Sequence, residues 1–236
     1  MNFQHFKEQK LTFRYNDKLN PKFWDGLSLK QEVKVHLIKI ANTWAEFAEI
    51  PKSAIKDILL VGGNANYNYT RFSDLDLHLV VDKNKLPNCP DLLDEFLTDK
   101  KQLWSLTHDI KIYDHDVELY AEYEDAPRPS NQGVYSLKSG WIKKPVKENP
   151  NIDMELLKRK VHAMMKKIDF LVSGRSDDVS EIKKLKDKLK NMRSSSIRRG
   201  GEYALENLTF KELRNSGYLD KMNKYAVNMQ DKKLSL

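Results

Sequence analysis

Cysteine is nearly absent from this chain: Cys89 stands alone. One thiol excludes an internal disulfide and leaves no cysteine cluster for zinc. No run of about 18 apolar residues occurs, so no membrane span is expected. The first ten residues, MNFQHFKEQK, have no apolar core of the kind a signal peptide carries. Internal repeats and low-complexity segments are missing too. These absences lead to the expectation of a reducing, cytoplasmic setting with no membrane partner.

What is present suffices for a real core. The 236 residues give room for one large domain or two small ones, and 40% of them are hydrophobic. Charged residues make up 32%, with a formal net charge of +7. That charge is unevenly placed. Residues 1–150 carry 21 Lys+Arg against 22 Asp+Glu, and residues 151–236 carry 20 against 12. The basic excess therefore lies in the C-terminal third. Such asymmetry points to a polyanionic partner, most plausibly nucleic acid, or else to solvated helix faces.

Ser28-Leu29-Lys30-Gln31 fits a capping box and predicts a helix start at Ser28. Val33, Leu37, Ile40, Ala41, Trp44 and Ala48 follow at helical spacing, and Pro51 lies beyond the end. Strands are predicted over 58–61 and 75–81. Pro87 and Pro90 break the chain, and a helix is predicted from Asp91 to about Trp104, with Leu92, Leu93, Phe96 and Leu97 on one side. Ile110–Tyr113 and Val117–Tyr123 alternate like strands. Pro127 and Pro129 mark a loop, and VYSL and WIKK around Lys138-Ser139-Gly140 form a hairpin. After Pro145 and Pro150 the pattern turns helical. A helix over 152–172 has Leu157, Val161, Met164, Ile168 and Leu171 in one stripe and ends at Gly174. A second over 179–192 carries Ile182, Leu185, Leu189 and Met192. SSSIRRGG is then a connector, and 202–213 and 219–229 are further helices. The expected fold class is α+β: a mixed sheet with flanking helices over 1–150, followed by a basic helical region over 151–236.

The chemistry concentrates in residues 62–77, GGNANYNYTRFSDLDL. Two glycines follow the apolar run Ile58–Val61, and small residues at a turn let a triphosphate approach the backbone N–H groups. Asp74 and Asp76, two apart on a strand, point to one face. Two carboxylates near a phosphate cradle suit Mg²⁺, which prefers carboxylate oxygens together with substrate phosphates.

Gly62-Gly63-Asn64-Ala65, an eleven-position step from Gly63 to Asp74, and Ser73-Asp74-Leu75-Asp76 within apolar residues resemble the nucleotidyltransferase superfamily. This is the group that includes DNA polymerase beta, here in its minimal form. The resemblance covers about twenty residues firmly and the first 150 loosely. It implies that Asp74 and Asp76 bind Mg²⁺ or Mn²⁺, and that a nucleotidyl group is moved from an NTP such as ATP. It also implies a third carboxylate on a later neighbouring strand. Glu118, set between Val117 and Leu119, fits this place, with Asp116 as its rival. The family more often has Asp there. It often has Gly-Ser where this chain has Gly62-Gly63, so Ser73 or Asn64 is expected to supply the missing phosphate contact. Arg71 is a further candidate for phosphate. GVYSLKSGWIKKP resembles nucleotidyltransferases encoded in phage genomes, implying a phage-type origin and a host cytoplasm.

Other residues stay open. His78 shares the face of Asp76 and is expected to be hydrogen-bonded. Tyr67, Tyr69 and Phe72 either stack on a base or anchor their loop to the core. The acceptor hydroxyl implied by the resemblance belongs to RNA or tRNA, given the basic C-terminal region, or to a small molecule or a protein side chain. A binding protein that keeps the fold without catalysis, and a toxin-like enzyme that AMPylates protein or modifies tRNA, are the alternatives.

Overall fold

Over residues 75–79 and 117–121 apolar side chains recur at every second position, the period of half-buried strands. The computed structural model of the protein describes residues 10–86, 90–126, 132–148, 150–173 and 179–235. Cys89, Pro87, Pro127, Pro129, Gly174 and the first nine residues lie outside these. The fold is α+β, with helices at the C-terminal end. The chain divides into two compact units, Arg14–Glu148 and a helical unit made of 10–13 with 150–235.

The first unit begins with a short hairpin, β1 (Trp24–Asp25) and β2 (Ser28–Leu29), and the helix α1 (Gln31–Phe47). Strands β3 (Ile55–Val61) and β4 (Leu75–Val81) follow. Helix α2 (Pro90–Thr107) leads to β5 (Lys111–Ile112) and β6 (His115–Tyr123). A hairpin of β7 (Val134–Ser136) and β8 (Gly140–Lys143) completes the unit. The six-stranded sheet has the order β5-β6-β4-β3-β7-β8. Among the described residues, only β4 and β6 run parallel. A parallel pair needs a long crossover, and α2 supplies it.

One sheet face carries the core. Leu60, Leu75, Leu77, Leu79 and Leu119 pack there with Val33, Leu37 and Trp44 of α1 and with Leu93, Leu97 and Trp104 of α2. The second face holds the small apolar cluster Leu59, Val61, Val80 and Val134. Register puts Asp76, His78, Glu118, Tyr120 and Glu122 on that same second face.

In the helical unit, α3 (Met154–Val172), α4 (Val179–Gly200), α5 (Leu205–Asn215) and α6 (Tyr218–Leu234) enclose a separate core. Its buried members include Leu157, Val161, Ile168, Ile182, Leu189, Leu208 and Leu213. Asp153 caps α3, its side chain accepting from Leu156 N at 2.8 Å.

Several expectations are corrected. The capping box does not form: Ser28 pairs with Asp25 in the hairpin, and Lys30 N donates to Phe23 O. The helix therefore starts at Gln31 without a side-chain cap. The stripe of α2 is Leu93, Leu97 and Trp104, while Leu92 and Phe96 are exposed. In α3 the buried methionine is Met165, with Met164 at the margin of the core. SSSIRRGG is helical through Gly200 rather than a connector. Its serines bond back to the preceding turn, Ser195 Oγ to Asn191 O and Ser196 Oγ to Arg193 O, which consumes their hydroxyls without breaking the helix. Residues 10–13, placed by sequence with the first domain, belong to the helical unit. Glu212 is buried there and accepts from Thr12 N, Thr12 Oγ1 and Phe13 N.

Candidate active site

The Gly62 turn and the strand β4 meet edge to edge. Gly62 has φ +73, a conformation that L side chains rarely adopt. A Cβ built there would stand 1.6 Å from Asp76 Oδ2 and 2.6 Å from Asp76 Cγ. The carboxylate therefore lies against the Gly62 backbone, in space only a glycine leaves. Gly63 is less constrained; its Cβ would come to 3.1 Å from Ser73 Oγ.

Asp76 has a neighbour on each side in the sheet. Val61 registers against it from β3. From β6, Glu118 registers against it in the parallel pair. Residues in register on neighbouring strands share a face, so the Asp76 and Glu118 side chains leave the sheet side by side. Asp74 precedes the first residue of β4 and lines an open recess of about 310 Å³ with Asp116 and Glu118. Asp116 is engaged elsewhere: it registers against Lys111 of β5 and pairs with its ammonium at 3.2 Å.

The loop that presents Asp74 is fastened from inside. Asn64 is wholly buried. Its Nδ2 donates to Ser73 O at 2.8 Å and to Asp74 O at 2.9 Å, and its Oδ1 accepts from Asn20 Nδ2. Its own carbonyl accepts from Trp24 Nε1 at 2.7 Å. The Asn64 side chain is thus committed to the fold, and it positions Asp74 through the backbone. His115, also buried, adds a bond from Nδ1 to Ser73 O at 2.7 Å; a carbonyl cannot donate, so Nδ1 carries the hydrogen. Ser73 Oγ accepts from Thr70 N. Arg71 stacks over the Phe72 ring, 4.6 Å from its centroid. Asn66, unremarked in the sequence, ties the glycine turn to the far hairpin: Nδ2 donates to Gly62 O, and Oδ1 accepts from Gly133 N. Tyr67 packs against the core, and Asn16 Nδ2 donates to the carbonyls of Tyr67 and Tyr69. The aromatic loop is therefore anchored.

His78 meets Glu122, Nδ1 to Oε2, at 2.8 Å, the hydrogen-bonded role expected of it. Two groups that sequence reasoning missed complete the surroundings of Glu118. Tyr120 Oη donates to Glu118 Oε2 at 2.6 Å. Lys101 of α2 stands 3.8 Å from the same oxygen and 3.3 Å over the Tyr120 ring. Burial pushes the Lys101 ammonium below its ordinary pKa, outweighing the pull of Glu118, Asp76 and Asp74. Burial, the bond to Glu118 and the field of the two aspartates raise the Tyr120 phenol. The missed signal was periodic: Lys101 falls on the Leu93–Leu97–Trp104 stripe of α2, where a lysine is unusual.

Among the described residues, no group of three or more His, Cys, Asp or Glu side chains is placed to hold a metal ion by itself. Mg²⁺ commonly takes one or two carboxylates and completes its shell with water and substrate phosphates; Asp76 and Glu118 offer carboxylate oxygens of that donor type from neighbouring strands. Among the described residues no helix is long and apolar enough to cross a membrane. A scan of protein-family models, a search of curated proteins and a search of solved structures each find no match to the chain.

Proposed function

We propose that this protein is a divalent-metal-dependent nucleotidyltransferase, which transfers NMP from an NTP to a hydroxyl acceptor, with RNA or tRNA the favoured acceptor. The observation that carries the reading is the register of Asp76 with Glu118 across parallel strands, beside a glycine turn whose backbone meets the Asp76 carboxylate. Asp74, Asp76 and Glu118 would hold Mg²⁺ or Mn²⁺. When bound, the cation would neutralise phosphate charge and lower the pKa of the attacking hydroxyl.

The chain's own groups have distinct tasks in this reading. The turn at Gly62 and Gly63 lets phosphate oxygens approach the backbone. Asn64 and His115 hold the 73–74 carbonyls and so fix where Asp74 stands. In the reaction the acceptor oxygen bonds to the α-phosphorus as the bond to the bridging oxygen breaks. Pyrophosphate leaves, and the hydroxyl proton passes to a nearby base, a role we assign to Glu118. A second recess, of about 360 Å³, is lined by Lys101, Tyr120 and Glu122. The preference for RNA rests on the basic excess of the helical unit.

The test is incubation with Mg²⁺ or Mn²⁺, each α-labelled NTP in turn and total RNA, beside a lane without RNA and an Asp74→Ala/Asp76→Ala control. Label in RNA that vanishes with the double variant is the expected result. Label on protein would replace the RNA acceptor with a side chain. Nucleotide binding without transfer to any acceptor, small hydroxyl compounds included, would sink the catalytic reading.

A further inference from the structure

Lys101 pairs with Glu118, and it sits where a lysine is costly. Leu97 lies four positions before it and Trp104 three after, both buried. An ammonium partly withdrawn from water needs opposite charge nearby. Glu118 supplies it at 3.8 Å, and the Tyr120 ring supplies a negative face 3.3 Å away. Tyr120 closes the arrangement by donating to the same Glu118 oxygen. Ammonium, ring and carboxylate thus hold one another. A divalent cation arriving at Asp76 and Glu118 would meet this fixed positive charge within a few ångströms, where Coulomb repulsion is strong in a partly desolvated setting.

We propose that Lys101 is a built-in counter-cation of the Asp74–Asp76–Glu118 cluster: it positions Glu118 and weakens the grip of the cluster on a bare divalent cation, so that metal binds well only together with a nucleoside triphosphate. This rests on the nucleotidyltransferase reading above. The same charge that repels free metal attracts the phosphates, so the two ligands assist each other. The coupling is reciprocal by thermodynamic necessity. Lys101 is in this account a positioning residue.

The experiment titrates the full chain with Mn²⁺ alone, followed by the electron paramagnetic resonance of the free ion, and separately with ATP in the presence of a chelator. Lys101→Met keeps the apolar stem and removes the charge. It should bind Mn²⁺ about tenfold more tightly, about 1.4 kcal/mol, and ATP severalfold more weakly. A merely structural lysine would weaken both or neither. Lys101→Arg should keep both affinities within about threefold of the original, since the charge stays. Should Lys101→Met fail to fold by circular dichroism, Lys101→Gln decides on the same criteria. Mn²⁺ affinity unchanged or weakened in a folded neutral variant overturns the counter-cation. Wild-type binding that disappears in Asp76→Ala places the metal at the cluster. Binding that survives in Asp76→Ala, or no binding in any variant, sinks the metal reading itself together with this inference.

Discussion

Replacing Gly62 by alanine strikes a place where backbone geometry and the Asp76 carboxylate meet. The new Cβ would start 1.6 Å from Asp76 Oδ2, and ordinary contact begins at 3.4 Å, so the carboxylate must retreat by about 1.8 Å. The positive φ of 73° adds a cost of roughly 1–2 kcal/mol for an L residue, and an off-rotamer aspartate about 0.5–1.5 kcal/mol more. A destabilisation of about 2–3 kcal/mol is expected by denaturant unfolding. Misplacement of a reacting group by 1 Å can cost about 100-fold, so nucleotidyl transfer should fall by at least that factor. Gly140 isolates the two effects. It has φ +86 and nothing within 4 Å of its Cβ position. Gly140→Ala should therefore show the backbone cost of about 1–2 kcal/mol and leave transfer and Mn²⁺ binding intact. Equal activity in the Gly62→Ala and Gly140→Ala proteins would refute the claim that the glycine makes room for the Asp76 carboxylate.

Asn64→Ala removes two donated bonds and one accepted bond from a fully buried site. A loss of about 2–4 kcal/mol is expected, and a urea midpoint unchanged from wild type would show that the loop holds without it. Glu212→Ala strips the acceptors from Thr12 and Phe13; limited proteolysis should then cut near residues 12–13 well before the helices, and unaltered protection would show that Glu212 does not hold this segment. The Glu206 carboxyl is held below its ordinary 4.5, chiefly by the hydrogen bond from Lys160. A depressed folded pKa means its stabilisation is complete above about 4.5 and is lost as pH falls through the folded value. Glu206→Gln should therefore flatten the acid limb of the stability profile below that pH, and an identical limb in both proteins would assign the acid sensitivity to other groups.

Much of this molecule is legible from residue order because local chemistry decides it. Strand β4 is written in LDLHLVV, where alternate residues must take opposite faces, and the helices α3 and α4 are written in their apolar stripes. Where the sequence misleads, a local signal lost to a competing partner. Ser28 has the neighbours of a helix cap, but pairing with Asp25 claimed its backbone first. SSSIRRGG has the composition of a connector, yet its hydroxyls find carbonyls within the helix.

The sequence by itself determined the α+β class, the glycine turn and the setting of Asp76 on a strand, since these follow from local pattern; Asp74, expected on that strand, stands just before it. Tertiary structure alone decided the rest. The parallel register that lays Glu118 beside Asp76 joins positions 42 apart, and no periodicity within either strand specifies it. The burial of Asn64 beneath Asp74, and the approach of Lys101 to Tyr120 and Glu118, likewise arise only when separate elements pack. Distances between side chains from different elements are set by the whole fold, because each contact depends on where the others have already placed the backbone.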